Sequence, residues 1–363
     1  MVIRDLFGIS TMPACLRFLL VSSFLLFGFP IFSSAQSTPV GGLKNLRLPT
    51  DNDAIFSNDP SKFYMYTYRT FEGKSSRPWS GGQYGFTRNQ KRTDRGIIFT
   101  KFHEGVDIRP VKRDKSDNPL DDVRSILDGT VVYVNDNSSA SSYGKYIVIH
   151  HDWGEGPFFS LYAHLMSTSA KSGQRVKVGT TIGRLGYTGA GINRERAHLH
   201  LELAMLMSDR FQSWYGRHFT SKNHHGIYNG FNLIGIDVAR LYHAQRADPN
   251  ITMAGFFSKK QPYYKVTVKK PAQFELLRRY PWLGREMDKA PGAPSWEITF
   301  AGTGVPLAVE PSTKPISYPA VTWVKPANTN HSFHTISRIT GTGSTAKLSA
   351  SGSRFIQLLT GAF

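Results

Sequence analysis

Polar and apolar residues alternate strictly along Ala197-His198-Leu199-His200-Leu201-Glu202-Leu203, the period-two pattern of a strand with one dry face and one polar face. The pattern places His198, His200 and Glu202 on the same face. From about Arg77 onward the chain reads as short strands with turn punctuation. Residues 97–99, 146–149 and 158–164 are compact apolar runs, and Gly154-Glu155-Gly156 predicts a hairpin loop between the last two. Two further apolar runs, residues 123–126 and 130–134, flank Asp128-Gly129 and predict a second hairpin. These segments define an expected β domain over residues 77–207. Ahead of it, residues 36–76 form an N-terminal extension whose aromatic stretch, residues 63–71, is strand-prone and positioned to pair onto the following domain or lie across it. Residues 208–262 make an aromatic, glycine-rich connecting segment, with residues 234–241 read as helical. Residues 263–363 open on the alternating run Tyr264-Lys265-Val266-Thr267-Val268 and are expected to form a small β-rich accessory domain.

The first 35 residues have a different pattern. Residues 16–32 are strongly apolar, Arg4 and Arg17 lie before the main run, and Ser33-Ser34-Ala35 supplies small residues for cleavage before Gln36. That order is a secretory signal peptide, residues 1–35, and implies export to the periplasm or the extracellular envelope. Gly28, Pro30 and the small-residue exit weigh against an uncleaved anchor, so no transmembrane helix is expected after cleavage. The single cysteine, Cys15, falls inside this segment. The mature chain then has no thiol, which excludes disulfides and a cysteine nucleophile. Lys and Arg number 44 against 26 Asp and Glu, a net charge of +18. Such a balance draws polyanions. With no long basic run and no zinc-finger spacing, anionic envelope polymers fit better than a specific nucleic acid.

The chemistry concentrates in three places. His103 and Asp107 are separated by three residues with Gly105 between them, His164 ends an apolar strand, and His198 and His200 share a strand face. Zinc takes nitrogen and oxygen ligands from His and Asp, and a catalytic site keeps one position open for water. A set with a single carboxylate leaves the metal strongly Lewis acidic and lowers the pKa of a bound water toward neutrality. In these residues the chain resembles the LytM/lysostaphin-type zinc metallopeptidases of family M23, peptidoglycan endopeptidases. The HxxxD element is His103-Glu104-Gly105-Val106-Asp107, the strand-end histidine lies in Leu161-Tyr162-Ala163-His164-Leu165, and the HxH element is His198-Leu199-His200. The resemblance implies a mostly β, antiparallel LytM-like catalytic domain of the duplicated hybrid motif type. It implies one zinc ion per chain on His103, Asp107 and His200, with His164 and His198 catalytic in acid–base and oxyanion-stabilising roles whose division stays open. The implied substrate is the peptide cross-link of bacterial peptidoglycan, in its stem peptides or cross-bridges.

Other residues carry blander readings. His150-His151 is expected to be structural or exposed, and His224-His225 a solvated pair. The acidic residues Asp114, Asp117, Asp121 and Asp122 have no calcium-loop spacing and read as a solvated face. Glu202 is read as pairing with a nearby cation, and Glu104 is not given the base role it would have in an H-E-x-x-H motif, which is absent. The competing function is a non-enzymatic envelope protein that regulates or scaffolds other wall hydrolases. Retention of all five site residues and the lack of a coiled coil favour the enzyme.

Overall fold

The computed structural model describes residues 42–363. The expected signal peptide, residues 1–35, lies outside the described residues. Among these residues no helix is long and apolar enough to cross a membrane.

The architecture is mostly β and antiparallel. A long hairpin, β1 (Gly85–Thr93) and β2 (Gly96–His103), leads into the short β3 (Val106–Ile108). Then come β4 (Gly129–Asn135), β5 (Tyr146–Asp152), β6 (Pro157–Ala163), β7 (Arg175–Val176), β8 (Leu199–Leu206) and β9 (Leu233–Ile236). The main sheet runs β7-β4-β5-β6-β8, and the far edge of β8 is shared: β3 pairs with Leu199–Leu201 and β9 with Leu203–Leu206. The hairpin expected around residues 154–156 is present as β5–β6, with Gly154 and Gly156 at φ 92° and 101°.

All eight residues of β8 are buried. The alternation at 197–203 therefore does not divide protein from solvent. It divides two interiors. Ile147, Ile149, Tyr162, Leu201 and Leu203 belong to the larger core, whereas Tyr146, Val148, Leu161, Ala163 and Ala204 form a smaller cluster on the other face. His200 and Glu202 share the parity of Ala204 and so sit on the smaller cluster's face. Buried polar groups there must be paired or bound.

The hairpin expected at Asp128-Gly129 does not form. Asp122–Arg124 pairs instead with Thr181–Arg184, in a separate three-stranded sheet completed by Ser167–Thr168, while β4 pairs with β5 and β7. Asp128 accepts from the Val178 amide at 2.8 Å, and a Cβ at Gly129 would stand 2.4 Å from His150 O. The pair serves close packing rather than a turn. The reading of residues 234–241 as one helix is also corrected. Leu233–Ile236 is β9, and a helix, α1 (Val238–Ala247), starts after Asp237, whose carboxylate accepts from the Arg240 amide at 2.9 Å as an N-cap.

Residues 63–65 lie along the free edge of β3. Tyr64 bridges Ile108, the Met65 amide donates to Asp107 O at 2.8 Å, and the Arg109 amide donates to Phe63 O at 2.9 Å. The aromatic stretch thus closes a sheet edge beside Asp107, which otherwise would present unpaired backbone groups. Farther on, β10 (Tyr264–Lys269), β11 (Ser295–Phe300), β12 (Pro306–Ser312) and β13 (Ala320–Val324) form an antiparallel sheet in the order β12-β11-β10-β13. The last helix, α2 (Ala350–Thr360), is N-capped by Ser349 and ends at Gly361, φ 69°. His151 is buried, with Nδ1 2.8 Å from Asp128 O and Nε2 2.6 Å from Ser160 Oγ. Burial pushes its pKa down to about 4, so it is a neutral structural residue.

Candidate metal centre

Register brings the candidate residues together. On β8, His200 stands opposite Asp107 of β3 on one side and Ala163 of β6 on the other. Cross-strand partners have Cβ atoms about 4.5–5.5 Å apart, so the Asp107 carboxylate and the His200 imidazole meet directly. His103 ends β2, and the turn at Glu104-Gly105 returns the chain to β3. Gly105 is needed for space: a Cβ there would lie 2.4 Å from Leu201 O and 3.0 Å from His200 Cε1. Gly105→Ala is therefore expected to destabilise the fold by roughly 1–3 kcal/mol or more through overpacking against backbone, read as a lowered thermal midpoint together with weakened metal uptake. An unchanged midpoint would show that the strand can move aside.

Three donor atoms converge. His103 Nε2 lies 3.1 Å from Asp107 Oδ1 and 3.2 Å from His200 Nδ1, and His200 Nδ1 lies 3.0 Å from Asp107 Oδ1. Ligand atoms around a tetrahedral zinc at about 2.0–2.1 Å stand about 3.3 Å apart. The set is buried, and its chemistry and spacing fit a small divalent cation. Electrostatics agree. Burial opposes charge on Asp107, yet His103 and His198 outweigh it and hold the carboxyl well below the usual range. Burial also opposes charge on His200, but Asp107 and Glu202 on its two sides raise it to about 10. Two buried carboxylates flanking one imidazole favour positive charge at that imidazole.

Each donor is fixed from behind. His103 Nδ1 is 2.8 Å from Gln83 O, Asp107 Oδ2 accepts from Arg88 at 2.6 Å, and His200 Nε2 is 3.0 Å from Glu202 Oε1. Glu202 Oε1 in turn accepts from the Tyr143 hydroxyl at 2.6 Å. Outer partners of this kind set tautomer and ring orientation. The expected pairing of Glu202 with a nearby lysine or arginine is thus replaced by pairing with His200 and Tyr143, because the residue is only 1% exposed and no lysine or arginine pairs with it among the described residues. Glu202→Gln should lower zinc affinity by about 10- to 100-fold while leaving the fold intact, measured by chelator competition. Wild-type affinity in the variant would mean that the carboxylate does not tune the centre.

His164 and His198 stand beside this set. His198 Nδ1 is 2.6 Å from Arg196 O, leaving Nε2 3.4 Å from Asp107 Oδ1. His164 has φ 63°, an uncommon left-handed conformation for a residue other than glycine. Its Nδ1 is 2.9 Å from Thr188 O, and its ring lies 4.9 Å from that of His198 and 5.7 Å from that of His200. Burial, then His198 and His200, push its pKa well down, so it rests neutral. All five candidates therefore lie in one cluster. Arg88, Gln83 and Tyr143 were not anticipated as partners. Asp121 is also not part of a solvated face. It is buried and accepts from the Val111 and Lys112 amides at 2.8 and 3.0 Å, anchoring the excursion after Asp107. His225, by contrast, is half-buried, 3.2 Å from the Tyr133 hydroxyl.

Residues 101–211 match the model of Peptidase family M23, and all five candidate residues fall inside the match. The chain therefore contains a peptidase family M23 domain. Among curated proteins it is similar to the cell division protein DipM of Caulobacter vibrioides, 32% identical over 88 residues, 24% of this chain and 14% of that protein. It is also similar to a lipoprotein NlpD/LppB homolog of Pseudomonas aeruginosa, 36% identical over 75 residues, 21% of this chain and 22% of that protein. The similarity thus spans less than a quarter of either relative's length. Among solved structures, the catalytic domain of lysostaphin from Staphylococcus simulans is 24% identical, covering 34% of this chain and 82% of that one with a TM-score of 0.24.

Proposed function

We propose that this chain is an exported zinc metalloendopeptidase that hydrolyses peptide cross-links of bacterial peptidoglycan, acting in the periplasm or at the extracellular envelope. The observation that carries the reading is the convergence of His103 Nε2, Asp107 Oδ1 and His200 Nδ1 beside two further histidines, each anchored through one ring nitrogen. One zinc ion held by His103, Asp107 and His200 would supply a Lewis acid and an acidified water. The protein's own part is proton handling and charge stabilisation. With Nδ1 of His164 and of His198 held against backbone carbonyls, Nε2 of each is left to take or give a proton, that of His198 lying 3.4 Å from Asp107 Oδ1. His164 presents an unprotonated Nε2, and either imidazole, when protonated, stabilises developing oxyanion charge. Arg88 and Glu202 keep the ligand carboxylate and imidazole in place.

The net charge of +18 supports residence near anionic wall polymers. The test is digestion of purified peptidoglycan sacculi by the mature chain, with and without a chelator, followed by mass spectrometry of the products. Chelator-sensitive release of new amino termini is expected, and their absence would overturn the reading. One observation favours the alternative, a non-enzymatic regulator of other wall hydrolases: none of the five side chains belongs to a residue more than 7% exposed. Metal analysis separates the two, since a chain that neither carries nor takes up zinc would be the regulator.

A further inference from the structure

Tyr143, which holds Glu202 behind the metal centre, also lines a cavity of about 790 Å³. Its ring lies 5.7 Å from His200, and Glu104, directly after His103, shares the same lining. The rest of the wall includes residues beyond the family match, among them Arg338 and Arg354. A volume of this order suits a peptide side chain with its backbone.

The cavity is basic and its cations are unpaired. Lys101, Arg338 and Arg354 share the lining with Glu104, its one acid, and none of the three has an ion pair among the described residues. Arg338 is built in rather than incidental. Its guanidinium lies 3.6 Å over the Phe355 ring, with Nη1 3.3 Å from Thr303 O. Gly304, φ 79°, leaves the space it fills, because a Cβ there would overlap Nη1. The preceding residues, Ile336 and Ser337, both take left-handed φ values of 54° and 56°. Such backbone is held only by surrounding structure, here the Ser349 and Ser351 hydroxyls donating to Ser337 O at 2.5 and 2.8 Å. A guanidinium has five donors in a rigid fork that matches a carboxylate. This one is fixed beside a cavity, with the Thr303 carbonyl and the Tyr264 hydroxyl as its protein oxygen neighbours.

We propose that this cavity is a substrate subsite that receives a carboxylate of an acidic peptide, with Arg338 and Arg354 as its specificity-determining cations. The proposal rests on the metallopeptidase reading for the position of the scissile bond, but not for the binding itself. The test uses the zinc-loaded full chain and a pair of cross-linked peptidoglycan stem-peptide dimers that differ only in a free carboxylate against its carboxamide. Binding is read from tryptophan fluorescence, to which Trp214 in the cavity wall contributes, and cleavage is followed separately by mass spectrometry. The carboxylate peptide should bind at least about tenfold tighter, as expected for a charge-assisted pair. Arg354→Gln should remove most of that preference without weakening the carboxamide peptide. Arg338→Lys, which keeps the charge but loses the fork, should do so in part and serves as the second variant for a packed position. Equal binding of the two peptides, or variants that weaken both alike, would overturn the subsite. Discrimination in binding without cleavage of either peptide would support the subsite and overturn the peptidase reading, while cleavage without discrimination would do the reverse.

Discussion

His200→Ala should leave the purified chain without metal and without measurable hydrolysis of sacculi. The residue is the hub of the centre: its Nδ1 lies within 3.2 Å of both other donor atoms and its Nε2 is held by Glu202. Removing it deletes one of three donors and separates Asp107 from Glu202 by an empty volume where no cation is fixed. Two neutral or anionic groups cannot hold a divalent ion in competition with water as three converging ones do. Activity should fall by at least about 10³-fold, since several kcal/mol of transition-state stabilisation go with the metal. Zinc content per chain and rate of amine release are the two readings, with circular dichroism as a control for folding. Because Asp107 retains Arg88 and Glu202 retains Tyr143, neither carboxylate is left alone, and the variant should still fold. A variant that kept a full equivalent of zinc would remove His200 from the ligand set.

The ligand candidates were legible in the sequence because their chemistry is local to short motifs: His103 and Asp107 flank one glycine, and His200 follows His198 by two residues on one alternating run. The β5–β6 hairpin was legible for the same reason, its glycines sitting between two apolar runs. What the sequence did not disclose is set by contacts between distant segments. Asp128-Gly129 has the composition of a turn, but its role follows from the approach of His150 O and from Lys177-Val178, some 50 residues downstream. Asp122–Arg124 found its partner at Thr181–Arg184, a non-local pairing that no local pattern encodes. Arg88 reaches Asp107 across 19 residues and Tyr143 reaches Glu202 across 59. Glu202 itself is the instructive case. Its alternation with His200 gave the shared face, and the further step, that a buried carboxylate beside a buried imidazole must pair with it, needed only the knowledge that β8 is covered on both sides.

His198→Ala should separate binding from chemistry. The residue precedes β8, and Gly186 bridges its backbone, so the imidazole is positioned by the sheet rather than by a metal. Its Nδ1 is committed to Arg196 O and its Nε2 approaches only the Asp107 oxygen, at 3.4 Å, leaving the three converging donors complete without it. The variant should therefore keep close to one zinc per chain and lose about 10²- to 10⁴-fold in rate, the range for deleting a positioned general acid or base. His164 calls for a different substitution. Alanine would be strained at φ 63°, whereas asparagine tolerates left-handed backbone, so His164→Asn isolates the loss of the imidazole from the loss of the turn. It too should hold zinc and lose rate. The two variants then resolve what geometry leaves shared. If one histidine takes the proton and the other gives it, each variant loses a different limb of the pH dependence of kcat/KM. If both variants lose the same limb, the pair acts as one unit, which the 4.9 Å separation of the rings permits. If His198→Ala empties the metal centre instead, His198 belongs with the ligands and the division of the histidines into holders and proton carriers is wrong.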